Sequence, residues 1–201
     1  MPRVDADRFA RARAAIDAAN APDPNVLVVA GAPRPKALAE GELVSAWVEK
    51  LCPDAGEALL LAARAHHLRR WTTPRSTYPE GRAGYLRWRR DLYDFHATEV
   101  GAILATEGYD AAFIARVQDL VRKRNLRAGT DADMQTLEDA ICLAFLEAEC
   151  AELADRLDAD HMVDVLRKTL LKMSPAGIAA AGAVTLAPRE QALLERALQE
   201  G

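Results

Sequence analysis

Three histidines and two carboxylates fall on segments of this sequence that are otherwise apolar. They are His66, His67, His96, Glu138 and Asp139. Because a helix brings residues three and four positions apart to one face, His96 shares a stripe with leucine, valine and isoleucine neighbours and should point inward. A carboxylate that enters an apolar core must be paired or must ligate something. Imidazoles and carboxylates converging from separate helices are how helical proteins assemble metal sites.

Only one of the two adjacent histidines is expected to face the pocket, since neighbouring helical residues point about 100° apart. The spacing leaves open which of the two it is. We predict a single divalent ion (Mn, Fe, Ni or Mg) held by ligands drawn from His66, His67, His96 and Asp139. The catalytic candidates are His67, His96, Asp139 and Glu138. The competing interpretation is that each of these groups is a hydrogen-bonded or arginine-paired core residue.

A cationic and aromatic segment, Arg69–Arg90, follows the histidine pair. Glu80 is the only acid among its arginines, and four aromatic residues are interleaved with them. Guanidinium forks match carboxylate and phosphate groups, and aromatic faces stack on planar groups. We therefore predict an anionic small-molecule ligand held by Arg70, Arg75, Arg87, Arg89 and Trp71. The alternative is that several of these arginines pair with the acids of the chain.

The elements that would position these residues are helices. Apolar residues recur at helical spacing along most of the chain, which predicts an all-α, compact bundle of about seven to nine helices. The predicted boundaries are Asp5–Ala19, Leu38–Leu51, Asp54–Trp71, Gly84–Thr106, Asp110–Arg124, Asp133–Leu157 and Asp160–Met173, with short helices opening at Pro175 and Pro188. Pro22–Pro35 is predicted as a loop, with Val26–Ala30 extended on the domain surface.

The totals favour one soluble domain. The chain has 201 residues, half of them hydrophobic, and a net charge of −4. We predict a single domain over 1–201, with its core at about 5–173 and a C-terminal helical extension at 174–201. The charge disfavours a nucleic-acid partner without excluding a local basic patch. No apolar run reaches the roughly 20 residues that span a bilayer. An odd cysteine count and a polar N-terminus predict a cytoplasmic protein with reduced thiols.

Several segments resemble an uncharacterised bacterial family that is known only as a domain of unknown function. The likeness extends from about Phe9 to Ser174. It is most specific in the Arg-Trp and Pro-Arg pairs near Trp71 and in the Leu-Glu-Asp run that ends at Asp139. The segments that carry it are Ala62–Trp71, Pro74–Arg75, Tyr85–Arg89, Thr136–Asp139, Lys168–Thr169 and Lys172–Ser174. This resemblance implies a family but no activity.

The order of elements is also similar to the HD-domain superfamily of metal-dependent phosphohydrolases. In that comparison Ala62–His67 takes the place of the His-Asp helix, Phe95–Leu104 resembles the later His-containing helix, and Asp139 falls at the last Asp. The pair reads His-His instead of His-Asp, and the leading helix, Glu42–Trp47, has no His. Lys123 or Arg124 stands where a further His is often found. The resemblance implies an HD-like helical bundle and metal-dependent hydrolysis of a phosphorylated compound.

Two functions follow as hypotheses. The first is an HD-like protein that binds a phosphorylated or other anionic small molecule and hydrolyses it with a divalent metal. The second is a non-catalytic binding or scaffold protein whose arginine-rich, aromatic segment docks a protein or RNA partner. The sequence has no Walker A loop, no GxSxG elbow and no HExxH helix, so other common hydrolase machineries have no recognisable start here.

Overall fold

The computed structural model describes residues 6–124, 126 and 129–200, and this part of the chain is almost entirely helical. The all-α prediction is confirmed. The α-helices are α1 Ala6–Asn20, α2 Lys36–Leu51, α3 Glu57–Ala65, α4 Gly81–Thr106, α5 Ala111–Val121, α6 Ala132–Ala148, α7 Cys150–Arg156, α8 Ala159–Leu170, α9 Pro175–Ala181 and α10 Pro188–Gln199. Two short 3-10 turns cover Arg70–Thr72 and Arg75–Thr77.

Within the described residues the helices number ten, above the predicted range, because one expected helix is divided. The pattern predicted continuous helix over Asp133–Leu157. The structure instead breaks it at Glu149, whose φ of −122° and ψ of −14° are not helical. The backbone N–H of Glu149 still donates to the carbonyl of Phe145, so α6 ends without losing its last hydrogen bond. The chain then changes direction into α7.

The segment predicted as loop contains a β-hairpin. Strand β1, Val26–Val29, pairs antiparallel with β2, Ala32–Pro35. Ala30 and Gly31 connect them with φ angles of 50° and 79°, the positive values that a tight hairpin turn requires. The prolines of β2 argued against a strand, but proline is tolerated where its missing N–H faces solvent on an edge strand. Leu27 of β1 is buried and reaches the pocket described below.

Helix α6 lies in the middle of the molecule, as its apolar sequence predicted. It packs against α2 on one side and α9 on another, with α3, α5 and α7 completing its surroundings. Its buried residues point in every direction around the helix, and they include Glu138 and Asp139. Two adjacent carboxylates on such a helix necessarily point into different parts of the core, because successive side chains diverge by about 100°.

Helix α3 ends at Ala65, well before the predicted end near Trp71. The chain turns over His66–Arg69, and Arg69 adopts a left-handed conformation with φ of 53°. The side chain of Asn20, at the end of α1, fixes this turn: its Oδ1 accepts from the Arg69 backbone N–H at 2.9 Å. Its Nδ2 donates to the Ala37 carbonyl at 3.4 Å, which ties the same turn to the start of α2.

The C-terminal helices pack onto the rest of the core. Helix α10 lies against α8, and α9 lies against α6. Their buried side chains belong to the same hydrophobic cluster as those of α2 through α8. In the part of the chain that the structure describes, no helix is both long enough and apolar enough to cross a membrane.

Candidate functional site

A pocket of about 280 Å³ opens between α2, the turn after α3, α4, α6 and α8. The apolar part of its wall comes from Leu27, Leu43, Leu92, Ile141 and Phe145. Its polar lining is unusually rich in ionisable groups: Glu40, His66, His67, Arg70, Tyr85, Arg89, Tyr93, His96, Lys123, Glu138, Cys142, Glu149 and Lys172. The pocket therefore combines imidazoles, carboxylates and cations around one space.

Both histidines of the adjacent pair line this pocket, so the expectation that only one would face it is wrong. The expectation assumed a continuous helix. Because α3 ends at Ala65, His66 and His67 lie in a turn, and their rings stand 4.2 Å apart with an interplanar angle of 32°. The ring of His96 on α4 lies 6.0 Å from that of His67. Three of the four histidines of the chain are thus gathered at one end of the pocket.

The hydrogen-bond partners assign the tautomer of each ring. The Nδ1–H of His66 donates to the Ala63 carbonyl at 2.9 Å, and that of His96 donates to the Leu68 carbonyl at 2.7 Å. A carbonyl oxygen only accepts, so each Nδ1 carries the proton. The Nδ1–H of His67 donates to Oε2 of Glu40 at 2.6 Å, since its Nε2 accepts from Nη1 of Arg70 at 3.2 Å. Every Nε2 therefore presents a lone pair.

Burial keeps these rings neutral. Desolvation, with the neighbouring His67 as the next cause, lowers the pKa of His66 well below its usual value. Desolvation and then the Arg70 charge do the same to the pKa of His67. Desolvation lowers the pKa of His96 to about 4. Neutral imidazoles whose Nδ1–H is held by a carbonyl or carboxylate are the form in which histidine binds metal ions.

Glu40, His66 and His67 could hold a metal ion, because their ligand atoms all lie within 4.8 Å of one another. Glu40 is only 5% exposed, so its carboxylate is directed into this cluster and away from solvent. One carboxylate and two imidazoles suit borderline divalent ions, and three protein ligands leave coordination positions open for a substrate. The donor set therefore fits the predicted kind of cofactor, with Glu40 in place of the predicted Asp139 and without the predicted ligand His96.

His96 has an unused acceptor. Its side chain is 1% exposed, and its Nε2 is buried without a hydrogen-bond partner among the described residues. An unsatisfied buried polar atom costs about 1–3 kcal/mol, so native proteins rarely leave one without a use. Because the ring lines the pocket, this lone pair is available to a group bound there.

Four cations line the pocket, and each is held in a defined place. Arg70 lies 4.8 Å from the Trp88 ring centre, while Arg89 donates to the hydroxyl of Tyr93 and lies against the Tyr85 ring. Lys123 is paired with the buried carboxylate of Glu138, and Nζ of Lys172 lies 4.0 Å from that same carboxylate. Among the described residues three lining carboxylates face these four cations, so with neutral histidines this part of the lining is net positive.

Lys123, the partner of buried Glu138, has a left-handed backbone conformation, which is unfavourable for a residue other than glycine. It follows α5 with φ of 57°, and the Arg124 N–H donates to the Asp119 carbonyl to close the helix. This is a Schellman-type end, in which glycine is the usual left-handed residue. Here a lysine takes the place, and its pKa is raised: burial lowers it, but the Glu138 charge, the nearby Tyr93 and the hydrogen bond to Glu138 together more than offset that. The ammonium therefore stays charged inside the pocket.

A second ion-pair group lies at the other end of α6. Nζ of Lys36 donates to Oε2 of Glu149 at 2.5 Å and lies 3.6 Å from Oε1 of Glu40. Burial and then the Glu40 charge raise the pKa of Glu149. Cys142, between the two groups, is buried, and desolvation raises the pKa of its thiol to about 12. The thiol is therefore protonated and unsuited to act as a nucleophile.

Four of the predicted site residues lie outside this pocket. Asp139 is buried, but its carboxylate accepts from Gln135, from the Ser174 backbone N–H at 2.8 Å and from the Ser174 hydroxyl at 2.5 Å, which anchors the start of α9. Arg75 donates to the carbonyls of Tyr78 and Pro79 and so holds the loop before α4. Arg87 is exposed. Trp71 lines a separate outer cleft, which shares Glu40 and Arg70 with the pocket.

Sequence reasoning missed Glu40, although a signal for it exists. Glu40 shares a helical stripe with Val44, Trp47 and Val48, all of which are buried. A glutamate on the apolar face of a helix predicts a paired or ligating carboxylate. The sequence contains no comparable signal for the two tyrosines that contact Arg89, or for the pairing of Lys36 with Glu149. Charged and aromatic residues of this kind are common on the exposed faces of helices.

Comparison with known proteins identifies the family without naming an activity. No curated protein and no solved structure matches the chain. The chemistry of the pocket is therefore the evidence for a role. A family model described as a domain of unknown function, DUF4202, matches residues 10–194, nearly the whole sequence, and the chain belongs to that family.

Proposed function

We propose that this protein is a metal-dependent hydrolase of a phosphorylated small molecule. The observation that carries the proposal is the histidine cluster: neutral rings, each with Nδ1–H held by an acceptor, next to the buried carboxylate of Glu40. A purely structural histidine needs no such convergence. The cations of the same pocket supply the complementary part, because a phosphoryl group needs positive charge around it.

In this proposal Glu40, His66 and His67 hold one divalent ion. The ion would supply Lewis-acid stabilisation of charge on the phosphoryl group. The Ala63 carbonyl on Nδ1 fixes the orientation of the His66 ring, which is the usual support for a metal-binding histidine, and the His67 ring is held against the proposed ligand Glu40 itself. The Asn20 side chain holds the turn that carries both histidines, so the ligand geometry does not depend on a free loop.

Arg89, Lys123 and Lys172 would hold the phosphoryl oxygens. Arg89 offers a planar fork already oriented by Tyr93, and Lys123 is a buried, charged ammonium. His96 would accept a hydrogen bond from the attacking water at Nε2, the atom to which no described residue donates. A neutral ring can accept this bond throughout the neutral pH range because its pKa lies at about 4.

The order of elements is consistent with the HD-like interpretation, with changed ligands. Glu40 comes from the leading helix, where the sequence offered no histidine, and Lys123 lines the pocket where a further histidine is often found in that superfamily. A lysine at that place would favour anion binding over a second metal ion. These correspondences support the proposal only through the order in which the helices that carry site residues follow one another along the chain.

The test is metal content and turnover in matched variants. Wild-type protein purified without chelator should contain close to one equivalent of a divalent transition metal by elemental analysis and should hydrolyse p-nitrophenyl phosphate. Glu40→Gln and His66→Ala should lose the metal and at least about 10²-fold in kcat/KM. His161→Ala is the control, because His161 is exposed, pairs with Asp158 on the surface and does not line the pocket. Equal metal content in all four proteins would contradict the proposal.

A second candidate is a non-catalytic protein that binds an anion without metal. The observation that favours it is that Glu40, Glu138 and Glu149 already have lysine partners and that Arg70 occupies His67 Nε2. A thermal-shift titration with phosphate in the presence of a chelator separates the two candidates. Saturating phosphate at about 100 times its Kd stabilises by about 2.7 kcal/mol. Full stabilisation in chelator, without turnover in any metal, would favour the second candidate.

A further inference from the structure

Arg70 donates a hydrogen bond to Nε2 of His67, one of the proposed metal ligands. Its Nη1 donates to His67 Nε2 at 3.2 Å, and the opposite nitrogen of the ring donates to Glu40. A guanidinium has donors only, and it does not lose its charge in proteins. The contact therefore exists only while Nε2 of His67 presents a free lone pair.

Either way of binding metal through His67 breaks this contact. If the ion takes Nε2, it displaces Arg70 directly. If the ion takes Nδ1, next to Glu40, the ring proton must move to Nε2, and two donors would then face each other. The positive charge of Arg70 also opposes a cation at this place. Metal binding at the histidine pair thus requires Arg70 to move away.

Arg70 lies at the boundary between the pocket and the outer cleft. Its guanidinium lies over Trp88, and the residue lines both the pocket and the outer cleft that contains Trp71. A dianion in the pocket would attract it from His67, because charge-assisted bonds from arginine to phosphate are stronger than a bond to a neutral imidazole. Removing Arg70 from His67 leaves the ring free for metal.

We propose that Arg70 couples the two ligands of the site, so that phosphate binding strengthens metal binding and metal binding strengthens phosphate binding. This inference rests on the proposed function, since it needs a metal at Glu40, His66 and His67. It assigns Arg70 as a positioning residue that acts through His67. By linkage the two affinities change by the same factor, typically about 5- to 150-fold for coupled sites.

The experiment is a calorimetric titration of Mn²⁺ into metal-free protein, with and without inorganic phosphate. For wild type, phosphate should lower the Mn²⁺ Kd by about tenfold. Arg70→Met should bind Mn²⁺ alone about tenfold more tightly than wild type, and phosphate should add little. Arg87→Met is the matched control, because it removes an exposed arginine that does not line the pocket, and both its Mn²⁺ Kd and its phosphate response should stay close to those of wild type.

The outcomes separate this inference from the proposed function. Wild type and Arg70→Met with equal Mn²⁺ affinities would overturn the coupling while leaving a metal-dependent hydrolase intact. Absence of Mn²⁺ binding in every variant would overturn both. Thermal melting verifies that Arg70→Met is folded. Arg70→Lys is a second variant for the same question: it keeps a donor and a charge, so it should retain at least part of the wild-type phosphate response.

Discussion

Protonation of buried histidines links the chemistry of this site to the stability of the fold. His96 has a pKa of about 4 in the folded protein and about 6.5 when exposed, because burial penalises its charged form. Between these values the unfolded chain binds more protons than the folded chain. Stability contributed by neutral His96 is therefore present above about pH 6.5 and is lost as the pH falls toward 4.

Replacing His96 should remove part of this acid sensitivity. His96→Asn keeps a donor for the Leu68 carbonyl but has no titrating group. Wild type should lose roughly 3 kcal/mol more than the variant between pH 7 and pH 4 in urea denaturation with chelator present. His161→Asn is the control of opposite sign, because its Asp158 partner raises the pKa of His161. Parallel pH profiles for wild type and His96→Asn would contradict the assignment.

The adjacent carboxylates Glu138 and Asp139 show what sequence reveals at the level of single residues. Apolar neighbours on both sides predicted that both are buried, and both are 3% exposed. Their partners come from Lys123, just after α5, and from Ser174, at the start of α9. Burial follows from local periodicity, whereas the choice between a pocket carboxylate and a helix anchor depends on the tertiary arrangement.

At the level of elements, the sequence predicted most helices but not the turn that forms the site. Nothing in Ala65–Trp71 resembles a helix stop, since the segment contains neither glycine nor proline. The turn that follows α3 is held instead by Asn20, from a different helix, whose side chain accepts from the Arg69 N–H. Two helices are also capped two residues earlier than predicted, at places where two aspartates lie two positions apart. Asp131 caps α6 in place of the expected Asp133, and Asp158 caps α8 in place of the expected Asp160. Composition alone does not distinguish such pairs.

The left-handed turn at Arg69 should be strained, and the strain can be measured. A non-glycine residue in this conformation costs about 1–2 kcal/mol, which glycine avoids. Arg69→Gly should therefore be more stable than Arg69→Ala by about 1 kcal/mol in urea denaturation. Both variants lose the exposed ion pair with Glu99, so that contribution cancels in the comparison. If the alanine variant were the more stable, the turn would not hold Arg69 in this conformation.

For the whole molecule, the helical periodicity predicted the fold class but not how far the core extends. The sequence suggested that residues 174–201 form an extension, because Ser174-Pro175 and Pro188 interrupt the helical pattern. In the structure these residues restart helices that return to the core. Asp139 accepts the Ser174 N–H, and a Cβ on Gly177 would lie 2.5 Å from the Asp139 side chain. The C-terminal segment is therefore packed closely onto α6.

Removal of residues 175–201 should consequently destabilise the whole protein. Leu193 and Leu194 are 9% and 4% exposed against α8, and burial of a leucine contributes about 2 kcal/mol. We expect a lower urea midpoint and a Tm reduced by many degrees, because α8 loses its contact with α10 and α6 loses its contact with α9. Removing only residues 198–201 is the control, since Leu198 is 49% exposed and little core is lost. A shortened chain with the midpoint of wild type would mean that the core ends near residue 173, as the sequence pattern suggested.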